Sequence, residues 1–177
     1  MALKNEYGNA LFLLSEEMGT TDTTLNDVLI LDEVFSKNPE YVKLLDTPAL
    51  PKAEKLALID EAFGTVSENA RNLVKILCEK HAVNSFHEIR KAFSSLYDAA
   101  RGIEHVEAVT SVPMTEEQLK KMSDRLSAKT GKTVIIKNTV EPEILGGVKL
   151  RYSGIQVDGS VKTRLDSFEK ILKNTVI

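Results

Sequence analysis

The stretch Arg101-Gly102-Ile103-Glu104-His105-Val106-Glu107-Ala108-Val109-Thr110-Ser111-Val112 separates two kinds of pattern in this chain. Val106, Ala108, Thr110 and Val112 recur at every second position, the spacing of a strand with one buried face. Upstream, apolar residues return every third or fourth position, the spacing of amphipathic helices. The expected fold class is therefore α+β, an N-terminal six-helix bundle over residues 1–104 followed by a small α/β domain over residues 105–177. No Pro/Gly/Ser-rich linker marks the boundary, so the sixth helix is expected to run directly into the second part.

Working back from that stretch, the first helix is expected to turn Leu3, Tyr7, Ala10, Leu11, Leu14 and Met18 inward and to end at Gly19. The second carries Leu25, Val28, Leu31, Val34 and Phe35, and Asn38-Pro39 breaks it because a residue before proline avoids the α region. A short helix from Pro39 to Leu45 follows, with proline tolerated in its first turn. The fourth helix, about Pro51 to Phe63, buries Leu56, Ile59 and Phe63, with Gly64 expected as its cap. The fifth starts near Ser67, whose hydroxyl is expected to cap it, and buries Ala70, Leu73, Val74 and Leu77. The sixth starts near Ser85 and spaces Phe86, Ile89, Phe93, Leu96 and Ala100 along one face. Six such helices with short connections argue for a bundle.

Working forward, Thr115 and Gln118 have the spacing of a capping box. Leu119, Met122 and Leu126 form the apolar face of the helix it opens, and Gly131 ends that helix. Thr133 to Val140 reads as a strand closed by Glu141-Pro142. Val148, Leu150 and Tyr152 alternate with Lys149 and Arg151, a half-buried strand with a polar face. Ser153-Gly154 turns it into a hairpin with Ile155 and Val157. Asp158-Gly159-Ser160 is expected to turn and cap a last helix bearing Val161, Leu165, Phe168 and Leu172.

The composition suits a folded soluble protein, with 42% apolar and 28% charged residues. Both signs of charge are interspersed and the formal net charge is -3, which argues against a nucleic-acid binder or direct contact with an anionic membrane surface. The start of the chain lacks a basic stretch followed by a long apolar one, so no secretory signal is expected. The apolar runs Leu11–Leu14 and Val28–Leu31 fall far short of the roughly 18 residues a membrane span needs. A lone cysteine, Cys78, excludes an internal disulfide and suits a reducing compartment.

Residues that carry chemistry are sparse. Cys78 and His81 stand three apart on an expected helix, but no further His or Cys pair completes a zinc site. The glycine pair Gly146-Gly147 opens a strand and not a helix, so it reads as a bulge or tight turn and not as a phosphate cradle. No serine-hydrolase elbow, zinc-protease motif or Walker sequence is present. No catalytic residue, cofactor or metal is expected.

Two segments carry a resemblance. Ile144-Leu145-Gly146-Gly147-Val148-Lys149-Leu150-Arg151, then Ile155-Gln156-Val157-Asp158-Gly159-Ser160, then Leu165, resembles the C-terminal pattern of the delta subunit of F-type ATP synthases, the oligomycin-sensitivity-conferring protein of mitochondria. Tyr7-Gly8-Asn9-Ala10-Leu11-Phe12 is similar to the family's opening helix, with Gly8 where alanine is usual. Asn69-Ala70-Arg71-Asn72-Leu73-Val74 resembles its fifth-helix motif. The resemblance implies a subunit without an active site, which joins the catalytic head of the synthase to the peripheral stalk. Its helical domain receives N-terminal helices of the alpha subunits in a groove between the first and fifth helices, and its C-terminal domain meets the end of the b subunits. It also implies a peripheral position on the cytoplasmic face of a bacterial plasma membrane, attached through the complex.

On that reading the partner-binding residues are Tyr7, Leu11, Phe12, Leu73, Ile76 and Leu77 in the bundle and Val148, Leu150 and Phe168 in the second domain. Phe12, Leu13 and Ile76 add apolar surface beyond a single core stripe, although a wider buried face accounts for them equally. An RNA-binding adaptor is the competing reading. The acidic balance and the lack of aromatic stacking motifs on the strands weigh against it.

Overall fold

The computed structural model describes residues 2–144, 146–152 and 154–159. The chain divides into two compact units, Met1–Ala100 and Arg101–Ile177. The first is all helix: α1 (Ala2–Glu17), α2 (Thr21–Lys37), α3 (Pro39–Asp46), α4 (Lys52–Ala62), α5 (Glu68–Glu79) and α6 (Phe86–Arg101), with a turn of 3-10 helix at Val83–Ser85. Its core gathers one face of each helix, including Leu11, Val28, Leu31, Leu45, Ile59 and Phe93. Phe35 sits at the centre of an aromatic group, edge-on to Phe63 at 5.7 Å and to Phe86 at 5.1 Å. Such pairs contribute beyond the area they bury.

α1 faces the core differently from the stripe its spacing predicts. Leu11, Gly8 and Ser15 are buried, and Tyr7 and Phe12 are half-buried against the core, while Ala10, Leu14 and Met18 are exposed. Gly8 explains the rotation. A Cβ there would meet Ala92 Cβ at 2.7 Å and the Ile89 carbonyl oxygen at 2.9 Å, closer than real Cβ atoms come. The small residue lets α1 lie against α6, and Phe12 then packs edge-on to Phe93 with ring centres 5.8 Å apart.

Two expected caps also differ. α4 ends at Ala62 with Phe63 in the capping position, so Gly64 stands one residue beyond it. Ser67 precedes α5 as expected, but its hydroxyl makes no capping bond. Instead the Ser67 N–H donates to Asp27 Oδ2 of α2 at 3.0 Å, so a buried carboxylate from another helix satisfies the start of α5. Ala100, spaced with the α6 core face, is exposed.

The most deeply buried charged side chain among the described residues of this unit is Lys55, 3% exposed. Its Nζ donates to the Leu45 carbonyl at 2.8 Å and to the Thr47 carbonyl, tying down the end of α3. Cys78 Sγ donates to the same Leu45 oxygen at 3.4 Å, and burial pushes its thiol pKa up. His81 Nδ1 lies 2.9 Å from the Asp46 carbonyl oxygen. Cys78 and His81 thus both serve backbone carbonyls at the α3 end.

In the second unit, β1 (Ile103–Thr110), α7 (Glu116–Thr130), β2 (Thr133–Val140), β3 (Val148–Tyr152) and β4 (Ile155–Asp158) build a sheet in the order β2-β1-β3-β4. β1 and β2 are parallel, as their helical crossover requires, and β1–β3 and β3–β4 are antiparallel. Only Gly102 separates α6 from β1. β1 ends at Thr110, so Val112 lies past the strand and is exposed. The capping box of Thr115 and Gln118 is formed. α7 lies on the edge strand: Ser123 Oγ donates to the Val134 carbonyl, and Ser127 Oγ accepts from the Val134 N–H. That bonding covers edge groups that would otherwise invite another strand.

Register places Val106, Ala108, Ile136, Val148 and Leu150 on one face. Glu107, Thr139 and Arg151 share the other, where Thr139 Oγ1 donates to Glu107 Oε1 at 2.7 Å and Arg151 Nη1 lies 3.5 Å from Glu107 Oε2. The hydrogen bond from Thr139 is the main cause holding the Glu107 carboxyl below the usual carboxylate range. Gly146 (φ 149°) and Gly147 (φ 89°) lead into β3 through backbone conformations that other residues rarely adopt. The last helix expected over Val161–Leu172, and Phe168 with it, lies outside the described residues, as do Leu145, Ser153 and Ser160.

Candidate partner-binding surfaces

The residues singled out in the bundle separate by depth. Leu11, Leu73 and Leu77 are 5%, 6% and 0% exposed and belong to the core. Tyr7 and Phe12 are half-buried and pack against it. Ile76 alone of this set stands free, at 44% exposed. Leu14 of α1 and Met18 just beyond it, which spacing assigned to the core, are exposed as well, at 42% and 56%.

One contact joins the helices that carry these exposed residues. Asn69 Nδ2 at the start of α5 donates to Met18 Sδ beyond the end of α1 at 3.1 Å. That contact joins the C-terminal end of one helix to the N-terminal end of the other. Leu14 is four residues before Met18, and Ile76 is seven after Asn69, so each shares a helix face with its partner in the contact. Exposed apolar side chains thus stand on both sides of this junction, while Leu11, Leu73 and Leu77 belong to the core. An apolar strip between two helices accepts a third, amphipathic helix.

In the second unit Val148 and Leu150 are half-buried in the middle of the sheet. They support a surface more than they form one. Among the described residues, no cluster of three or more His, Cys, Asp or Glu side chains is placed to hold a metal ion. Among the same residues no helix is long and apolar enough to cross a membrane.

A helical bundle with exposed apolar side chains on two joined helices, followed by a small α/β unit, defines a protein of the docking type. The chain belongs to the ATP synthase delta (OSCP) subunit family, whose model matches residues 3–172. It is 33% identical over 176 residues to the ATP synthase subunit delta of Clostridioides difficile (strain 630), covering 98% of this chain and 97% of that one. It is also 33% identical to the ATP synthase subunit delta of Geobacillus sp. (strain WCH70), covering 96% of each. In fold it is similar to a chain of the Toxoplasma gondii mitochondrial ATP synthase hexamer, with a TM-score of 0.73 and 20% identity over 97% of this chain and 98% of that one. Membership makes it a non-catalytic subunit with the family's general stator role.

Proposed function

We propose that this chain joins the catalytic head of an F-type ATP synthase to its peripheral stalk. The α1–α5 seam receives N-terminal helices of the alpha subunits, and the second unit meets the end of the b subunits. The observation that carries the first half is the exposure of Leu14, Met18 and Ile76 on either side of the Met18–Asn69 junction. Burying a few such side chains against a helix releases roughly 25 cal/mol per Å² of apolar surface removed from water. The second half rests on family membership and on the presence of a separate, compact second unit.

The mechanism is static. The rotor turns inside the head, and the head must be held still for torque to drive ATP synthesis. A subunit with two independent docking surfaces supplies that restraint without chemistry of its own. In the cell the protein sits peripherally on the cytoplasmic face of a bacterial plasma membrane, held there through the complex.

The test uses Leu14→Asp and Ile76→Asp in the full chain, with melting curves to confirm folding. A charge in the closed seam costs several kcal/mol, and each 1.4 kcal/mol is about tenfold in affinity. Titration against a peptide of the alpha-subunit N-terminus is expected to show binding weakened at least about tenfold, with binding to a soluble b fragment unchanged. Folded variants that hold the alpha peptide at wild-type strength would remove the seam from the account.

A further inference from the structure

A cavity of about 310 Å³ opens in the bundle where the α3–α4 connection meets the end of α5. Leu50 and Leu56 line it with apolar surface, and Lys55, Cys78 and His81 bring polar atoms to it. Lys52 and Glu79 line it as well, but they pair with each other at 2.8 Å. Lys55 differs from them. Its ammonium is buried, and its partners, the Leu45 and Thr47 carbonyls, carry no formal charge. An ammonium has three N–H donors, so one is left beyond those two bonds. No carboxylate among the described residues forms an ion pair with it. Cys78 does not supply the missing anion, because burial pushes its thiol pKa up and keeps the sulfur protonated. Buried charges are ordinarily paired. Here the unpaired one borders a cavity.

His81 adds a second polar group to the same cavity. It stands in the left-handed region, at φ 51°, where glycine is favoured and a histidine costs conformational energy. Its Nδ1 lies 2.9 Å from the Asp46 carbonyl oxygen, which can only accept, so Nδ1 carries the hydrogen. In the neutral ring that leaves Nε2 as an acceptor. The cavity therefore offers a charged donor and a neutral acceptor together. We infer that it binds a small oxyanion that still carries a hydroxyl hydrogen, of the hydrogenphosphate class. An anionic oxygen takes the free Lys55 N–H in a charge-assisted bond, and the P–OH donates to His81 Nε2. Sulfate has the same shape and charge but no hydroxyl, so it satisfies Lys55 and leaves His81 unmet. The inference is independent of the stator reading.

The experiment is calorimetric titration and melting of the full chain at mildly alkaline pH, in sodium phosphate, sulfate or chloride at matched ionic strength. Wild type is expected to bind one phosphate, at least about tenfold more tightly than sulfate. At saturation it is expected to melt at least about 2 °C higher than in chloride. His81→Gly suits the left-handed backbone and is expected to fold, with phosphate affinity reduced to that of sulfate. Lys55→Met is expected to lose both anions. It also strips two carbonyls of their donor, so His81→Gly decides the matter where Lys55→Met fails to fold. Equal responses to phosphate and sulfate in wild type overturn the assignment and reduce the effect to general screening of surface charge. A phosphate preference that survives in folded His81→Gly overturns it by moving the anion elsewhere. No binding of either anion overturns it as well, and leaves the cavity to water.

Discussion

Single residues decide how the bundle closes. Gly8 costs α1 roughly 1 kcal/mol in helix propensity relative to alanine. It sits against the α6 backbone, with the Ile89 carbonyl 2.9 Å from the place a Cβ would take. Gly8→Ala therefore sets a local gain against a clash with main chain, and the clash prevails because backbone cannot rotate away. The expected outcome in urea unfolding is a loss of about 1–3 kcal/mol, the usual cost of overpacking. A stabilised variant would show that the helices separate freely at this point. Lys55 teaches the same lesson: its burial was not legible, because nothing in Ala53-Glu54-Lys55-Leu56 distinguishes it from a surface lysine. Only the fold brings the Leu45 and Thr47 carbonyls to its ammonium.

At the scale of elements, strands and helices were largely legible and the facing of α1 was not. The alternation in β1, the hairpin of β3 and β4 and the capping box of α7 are local signals, and local geometry satisfies them. α1 is different because Leu11-Phe12-Leu13-Leu14 is apolar around most of the helix, so periodicity admits more than one inward face. The choice falls to the small residues Gly8 and Ser15, and the excluded apolar residues Leu14 and Met18 become the seam. On the proposed function, ambiguity of pattern and function coincide here, since a helix with a core and a partner must be apolar on two sides. The start of α5 shows a second limit. Ser67 has the right identity for a cap, yet the bond comes from Asp27, 40 residues earlier. Asp27→Ala is accordingly expected to cost about 1–3 kcal/mol by leaving a donor unsatisfied, and Ser67→Ala much less. Equal losses in thermal unfolding of the two variants would return the cap to the serine.

At the scale of the whole molecule, the account is one of two docking units in one chain. The bundle offers an apolar seam suited to a helix, and the second unit is a separate compact body. A stator link has to hold both partners at once, since torque is transmitted only through a continuous chain of contacts. The measurement that tests this most directly is the mass, by size-exclusion chromatography with light scattering, of the full chain mixed with both an alpha-subunit N-terminal peptide and a soluble b fragment. A single species containing all three components is the result expected. Displacement of one partner by the other, or a species holding only one of them at saturating concentrations of both, would contradict the account.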